Sequence, residues 1–366
     1  MSSTPSTPLS SKDQKPIRDS NIELLRILLM CGVVLLHYNG GVGNALATVT
    51  PGSWNHVLLL GGEGLFICAV DLFVLISGYF SCTSQRRQSV KILELILQVI
   101  VVNCCYYLIT CALQGSFSPK TLLRNLLPNN YFVILYSVLY LISPYLNRLL
   151  LQLDKKQRTT LLILSLVLFS VLPILADMIE LIIGTPLIGL NTVGAYGDSW
   201  GYTIVNFTLM YLMGAYLRLE NITLKKRYCL PAIGILTILL GFTGSLNNGG
   251  HAWSYCNPLV IAQAVAVFLL FRHIRLKSRI INELAKGAFT CFLLHSHILP
   301  FFRADKAVSQ PVWVLFAHIV LTCVTIYLCS YVVYLVWKLI SRPVLQLFAK
   351  PLSKIDVFIT LESSND

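Results

Sequence analysis

The chain has 366 residues, of which 55% are hydrophobic and 12% are charged, and its mean hydropathy is +0.71. This composition excludes an ordinary soluble domain, which carries about twice that share of charged residues. The formal net charge of +12 would suit a nucleic-acid partner, but the basic residues flank apolar segments. We therefore predict membrane lipids, and not nucleic acid, as the surroundings of this chain.

Apolar segments recur along the whole chain between short polar breaks, and each approaches the roughly 20 residues that a membrane-spanning helix needs. The ninth segment is the weakest, because Gly287, His295, His297 and Pro300 interrupt it. We predict an all-α integral membrane protein with about ten transmembrane helices, near Ile22–Tyr38, Val57–Phe80, Val90–Leu113, Tyr131–Leu151, Thr159–Ile183, Trp200–Leu219, Cys229–Leu246, Tyr255–Phe271, Leu284–Phe302 and Pro311–Ile340.

The basic residues predict the orientation. With a cytoplasmic N-terminus, the inside segments hold 24 of the 28 basic residues, as the positive-inside rule requires. Both termini are then cytoplasmic, and we predict a multi-pass protein of the cell (inner) membrane. We divide the chain into a disordered cytoplasmic tail (1–16), a ten-helix membrane domain (17–342) and a cytoplasmic C-terminal tail (343–366). The eleven cysteines form no CxxC pair, and we predict neither a disulfide framework nor a metal site.

The first apolar segment, "IELLRILLMCGVVLLHYNGG" (22–41), carries three ionisable residues. Arg26 and His37 are 11 positions apart, about 20° beyond three helical turns, so they share one face at a separation of roughly 16 Å. Glu23 lies three residues before Arg26 and can pair with it. Each residue alone also fits a snorkelling arginine or a helix-end histidine. Their common face favours a functional stripe, since ionisable groups at such depth usually face a cavity.

Two carboxylates of the second apolar segment lie near the predicted depths of these groups. Glu63 falls near the depth of His37, and we predict that it orients the imidazole, with a polar loop lining as the alternative. Asp71 falls near the depth of Arg26. We predict Arg26 and Asp71 as candidates for substrate binding that together support the active conformation on the cytoplasmic side, because removal of either would leave an unpaired charge in the membrane.

Several motifs together resemble the membrane-bound acyltransferase family 3. The first is Arg26, ten residues and His37; the second is "VDLFVLISGYF" (70–80), which contains Ser77-Gly78-Tyr79. The segments "YFVILYSVLYLISPYLNRLL" (131–150), with Pro144 and Asn147, "FTLMYLMGAYLR" (207–218) and "FLLHSH" (292–297) follow in the family's order. The resemblance covers essentially the whole chain.

The resemblance implies a ten-helix enzyme that moves an acyl group, often acetyl from acetyl-CoA, onto a hydroxyl of a surface or lipid-linked glycan. It implies His37 as the catalytic histidine and Arg26 as its paired basic residue, with Ser77 as a substrate-binding candidate and no metal. In the loop "QRRQSVK", Arg86 and Arg87 either contact coenzyme A or serve as ordinary positive-inside charges.

His295 is the late histidine of the resemblance and a candidate for substrate binding. The alternative is a neutral, hydrogen-bonded histidine of secondary importance. His297, two residues later, points about 200° away on a helix, which suits a shared metal poorly.

The main alternative function is a transporter or flippase of lipid-linked sugars or small solutes. Such proteins often contain internal repeats with matching broken helices, and dividing these segments five and five gives no such match. Aromatic residues near the predicted outside face, which suit either sugar stacking or an interfacial belt, are Trp54, Tyr196, Trp200, Trp253 and Tyr255.

Overall fold

The computed structural model describes residues 20–185, 187, 189–194, 198–246 and 251–359, and within these ranges it contains helices and no strand. The predicted N-terminal tail and Tyr196 lie outside the described residues. A π-helical turn, Val167–Val171, joins two of the helices end to end. The helices are α1 (Ser20–Asn39), α2 (Ala45–Thr48), α3 (Trp54–Phe66), α4 (Ala69–Ser81), α5 (Ser89–Gln114), α6 (Pro119–Asn125), α7 (Tyr131–Gln152), α8 (Lys155–Leu166), α9 (Leu172–Ile183), α10 (Ile204–Leu219), α11 (Lys226–Leu246), α12 (Pro258–Arg272), α13 (Arg279–Leu284), α14 (Ala288–Ile298), α15 (Ala304–Ala307) and α16 (Val312–Ile359).

Eight segments of the described chain are long and apolar enough to cross a membrane. The prediction of an all-α integral membrane protein is therefore confirmed, while the count of ten spans and the side of each terminus stay predictions. The eight segments are Ser20–Asn39, Trp54–Ser81, Ser89–Gln114, Tyr131–Gln152, Lys155–Ile183, Lys226–Leu246, His251–Arg272 and Val312–Asp356.

The other two predicted spans are shorter or broken. The sixth is α10, an apolar helix of 16 residues. The ninth consists of α13, a 3₁₀ turn at Ala285–Gly287, α14 and a second 3₁₀ turn at Leu299–Phe302. Pro300 lies within the second turn, where its ring and missing N–H oppose continuation of an α-helix. A Cβ on Gly287 would lie 3.0–3.3 Å from Tyr331 of α16, so this glycine lets the two segments pack closely.

Two glycines bring α4 and α10 into backbone contact. A Cβ on Gly78 would lie 2.1 Å from the carbonyl oxygen of Tyr211, and a Cβ on Gly214 would lie 2.0 Å from that of Leu75. Small residues at helix crossings are the usual basis of tight packing in membranes. The glycines of "LISGYF" and "LMGAYL" therefore serve this crossing.

Helix α1 lies inside the bundle and packs against α3, α4, α12, α14 and α16. Its apolar side chains Leu25, Leu29 and Val34 are buried. Its first turn is fixed at two points: the Ser20 amide donates to the Leu276 carbonyl, and Asn21 Nδ2 donates to the Phe271 carbonyl, each at 2.9 Å. These contacts fix the position of the face that carries Arg26.

The C-terminal helix extends into the predicted cytoplasmic tail. That tail begins at residue 343, and α16 runs through Pro343 and Pro351 to Ile359. Near its end, Asp356 Oδ1 accepts a hydrogen bond from the Ser89 amide at 2.7 Å, at the first residue of α5. The predicted boundary therefore lies inside α16, and the final turns of α16 contact the start of α5.

Candidate functional site

A cavity of about 270 Å³ opens beside α1. Arg26, Met30 and Val33 line it from α1, at the i, i+4 and i+7 spacing of a single helix face. Lys286 places a second cation on the lining, and its Nζ donates to Glu283 at 2.5 Å. The remaining lining comes from five other stretches of the chain and consists of Val70, Phe73, Ser77, Leu95, Phe132, Val133, Tyr136, Ala285, Ala288, Phe289 and Phe292.

Stacked aromatic rings form one wall of the cavity. The Phe132 and Tyr136 rings lie nearly parallel with centroids 5.8 Å apart, and Phe292 packs on Phe132 at 5.2 Å. Ser77 presents its hydroxyl to this wall: the hydroxyl group donates to the Phe73 carbonyl at 3.0 Å, and its oxygen lies 3.4 Å from the Tyr136 hydroxyl oxygen. The predicted substrate-binding candidates Ser77 and Arg26 therefore line the same cavity.

His37 lies one turn beyond the cavity along α1, four residues after Val33, and its ring meets that of His295. The two ring centroids are 4.6 Å apart, with the planes inclined by 52°. His295 follows the cavity residue Phe292 by three positions on α14. The predicted stripe from Arg26 to His37 thus begins in the cavity and ends at a pair of histidines. The pairing itself was not predicted, because it depends on how α1 and α14 pack.

Two more histidines belong to helices of this region: His297 lies on α14, and His318 contacts α1. The Tyr38 hydroxyl lies 3.0 Å from Nδ1 of His318, which belongs to α16. The His297 ring stacks on Tyr106 of α5 with centroids 3.9 Å apart. Sequence reasoning did not single out His318. In the described part of the chain, no three His, Cys, Asp or Glu side chains are grouped as a metal site would need.

Glu63 contacts Asn39, whereas the sequence predicted that it orients His37. Its Oε2 accepts a hydrogen bond from Asn39 Nδ2 at 2.7 Å, and that amide group also donates to the Leu59 carbonyl. His37 and Asn39 are two residues apart on α1, about 200° around the helix, so a partner of one faces away from the other. The expected His37–Glu63 hydrogen bond is thus absent from the described structure.

Asp71 and Arg26 also take separate partners. Asp71 is buried in the first turn of α4 and accepts a hydrogen bond from Asn206 Nδ2 of α10 at 2.9 Å. Arg26 instead pairs with Glu23 at 3.5 Å, as predicted for neighbours three residues apart. Similar depth did not bring Asp71 to Arg26, because Asp71 faces α10.

The two arginines after α4 have different surroundings. Arg87 is buried, and its guanidinium donates to the Tyr140 carbonyl at 3.1 Å and to Ser143 Oγ at 2.7 and 2.9 Å. The same group donates to the Ser84 carbonyl at 3.1 Å. These bonds join the loop to α7, and contact of Arg87 with coenzyme A stays a prediction. Arg86 is exposed and stays a candidate for that role.

The predicted outside aromatics divide into exposed and buried rings. Trp54 and Trp200 are 79% and 51% exposed, whereas Tyr255 is buried. Trp200 stacks on His251 with centroids 5.9 Å apart, and His251 Nδ1 lies 2.7 Å from Asp177 Oδ2. Trp253 donates its indole N–H to the Leu240 carbonyl at 3.0 Å. Trp200 is therefore an accessible ring beside polar groups, as a sugar-binding surface requires.

Comparison with known protein families identifies the family of this chain. The family model for the acyltransferase domain of acyltransferase family 3 matches residues 19–335. The matched range contains the cavity, His37 and His295. Neither a curated protein nor a solved structure matches the chain.

Proposed function

Because this chain belongs to acyltransferase family 3, we propose that it transfers an acetyl group from cytoplasmic acetyl-CoA to a hydroxyl of a cell-surface or lipid-linked glycan. Membership of the family makes it an acyltransferase, and its apolar helices make it a multi-pass membrane protein. The proposed parts are the acetyl donor, the glycan acceptor and the cell (inner) membrane. Family membership also favours an enzyme over the transporter alternative.

One observation carries the proposal: the face of α1 that lines the cavity continues to His37. Arg26 and Lys286 supply two cations to the lining, which suits the phosphates of coenzyme A. The apolar and aromatic remainder suits the pantetheine arm. At about 270 Å³ the cavity is smaller than pockets that enclose a drug-sized ligand, so it suits the acetyl-bearing arm, with the nucleotide outside.

In the proposed reaction, His37 acts as the general base. It takes the proton from the acceptor hydroxyl while the hydroxyl oxygen forms a bond to the thioester carbonyl carbon. The carbon–sulfur bond breaks, and the coenzyme A thiolate takes up the proton that His37 received. In a second route, a His37 ring nitrogen bonds to the thioester carbonyl carbon while the carbon–sulfur bond breaks and releases the coenzyme A thiolate. The acceptor hydroxyl oxygen then bonds to the same carbon, the carbon–nitrogen bond breaks, and the hydroxyl proton passes to the thiolate. Neither route needs a metal.

The acceptor is proposed to approach from the end of the bundle that carries His37. This end is the outside face in the predicted orientation. The exposed ring of Trp200 and the adjacent His251–Asp177 pair offer stacking and hydrogen bonding of the kind that sugars use.

The experiment that tests this function compares surface glycans from cells with the gene, without it, and with a His37→Ala copy. Mass spectrometry should detect an acetyl-bearing glycan in cells with the unaltered gene, and none in cells without the gene or with the His37→Ala copy. A His56→Ala copy is the matched control, since His56 lies in the first turn of α3 and receives a hydrogen bond from the Gly52 amide. Identical glycan masses in all four strains would contradict the proposal.

A further inference from the structure

His295 has a defined tautomer. Its Nδ1 lies 2.7 Å from the carbonyl oxygen of Phe292 and 3.2 Å from that of Cys291. A carbonyl oxygen only accepts hydrogen bonds, so Nδ1 carries the proton. A neutral imidazole has a single N–H, and Nε2 of His295 therefore holds a free lone pair.

That lone pair is buried without a hydrogen-bond partner among the described residues. His295 is 4% exposed, and its Nε2 is one of the unpaired buried nitrogens of this part of the chain. Native proteins rarely leave a buried acceptor unpaired, so each such atom calls for a partner or a function. The polar ring packed against His295 is that of His37.

His37 has the complementary properties. Its side chain is accessible, and its ring nitrogens make no hydrogen bond to the described residues, although its carbonyl oxygen accepts from the Gly43 amide. A neutral imidazole always has one N–H to donate and one lone pair to accept a proton. With ring centroids 4.6 Å apart, the two imidazoles are close enough for an N–H···N hydrogen bond between them.

We propose that His295 is the positioning residue of the reaction: its Nε2 accepts the N–H of His37, which leaves the second nitrogen of His37 as a lone pair toward the acceptor hydroxyl. This inference rests on the proposed function. It assigns to His295 the role that the sequence predicted for Glu63, whose carboxylate pairs with Asn39.

This arrangement determines which nitrogen of His37 receives the proton of the acceptor hydroxyl. When His37 takes the hydroxyl proton it becomes an imidazolium, and the neutral His295 stabilises that charge by accepting its other N–H. A buried group that holds an accessible imidazole in one tautomer is the arrangement on which general-base histidines commonly depend. His295 forms no bond to the substrate, so its effect falls on the turnover number rather than on donor binding.

The kinetic test compares three variants with labelled acetyl-CoA in membrane vesicles that retain their own glycans. His295→Leu should lower kcat about 100-fold or more while KM for acetyl-CoA stays within twofold. His295→Gln retains an acceptor near the Nε2 position and should recover most of that loss. His297→Ala, two residues away and stacked on Tyr106, should keep wild-type kcat. Thermal unfolding of each purified variant checks that it is folded.

A second measurement tests the pair without relying on activity. Nitrogen NMR of ¹⁵N-histidine-labelled protein should show one hydrogen-bonded tautomer of the His37 ring in the wild type and a mixture in His295→Leu. A folded His295→Leu enzyme with wild-type kcat, or a His37 tautomer that does not respond to this substitution, would overturn the proposal. If the wild type transfers no acetyl group, the proposed function fails, and the NMR result still decides the pair.

Discussion

Arg86 and Arg87 are neighbours in the sequence, but the structure gives them different surroundings. Arg87 is buried among neutral partners on the loop and α7, whereas Arg86 is exposed. Arg87→Met should therefore lower the free energy of unfolding by several kcal/mol, at about 1–3 kcal/mol for each partner left unpaired. Arg86→Ala should change it by less than about 0.5 kcal/mol. Thermal unfolding in detergent measures both, and equal melting temperatures for the two variants would contradict this role of Arg87.

Predictions about residue contacts within one helix were correct, whereas predictions about contacts between two helices were wrong. Helical periodicity is local, and it correctly placed Arg26 and Glu23 in contact. The position of a residue along its helix predicts its depth in the membrane, but it does not predict in which direction around the helix axis its side chain points. Glu63 and Asp71 therefore meet Asn39 and Asn206, partners that no spacing in the sequence could indicate.

At the level of helices, the crossing of α4 and α10 depends on Gly78. A methyl group there would approach the Tyr211 carbonyl oxygen to 2.1 Å. Gly78→Ala should separate the helices and lower the stability by roughly 1–3 kcal/mol or more, as other overpacked sites do. Gly61→Ala is the control, because a Cβ on Gly61 in α3 meets no atom within 4 Å. It should be neutral or stabilising. Equal unfolding temperatures for both variants would mean that the crossing tolerates the added methyl.

The ninth segment shows which features of a helix can be predicted from an apolar sequence pattern. Gly287 and Pro300 correctly marked it as interrupted, since both residues have local backbone effects. The pattern could not indicate that the helix between them presents His295 to His37, because that contact joins residues 258 positions apart in the chain. The local residues predicted that the helix is interrupted, and only the packing of α14 on α1 showed that the interrupted segment brings His295 to His37.

For the molecule as a whole, the distribution of the basic residues predicts the orientation in the membrane. Reporter fusions after Asn44, Asp198 and Asn248 should all lie outside the cell, although Asn248 falls outside the described residues. A fusion after Arg227, in a predicted inside segment, is the control. An alkaline phosphatase reporter is active only outside, so a fusion after Asn44 or Asp198 that lacks activity would contradict the topology.

The composition was sufficient to predict an all-α membrane protein, and the motifs were sufficient to predict the family. The cavity was not predictable, because its lining comes from side chains scattered between residues 26 and 292. The sequence did single out two residues of the α1 face that lines the cavity: Arg26, which belongs to the lining, and His37, which lies one turn beyond it. We therefore predict that a donor bound along this face delivers its acetyl group beside His37.

The measurement that tests this most directly is acetyl transfer from labelled acetyl-CoA by purified protein returned to membranes that carry the glycan. His37→Ala should lower turnover by about 10²–10⁴-fold, the range for loss of a general base. Its expression, membrane insertion and unfolding temperature should stay near those of the wild type, and His56→Ala should transfer normally. Wild-type turnover by a folded His37→Ala protein would contradict the central claim that this histidine carries the transfer.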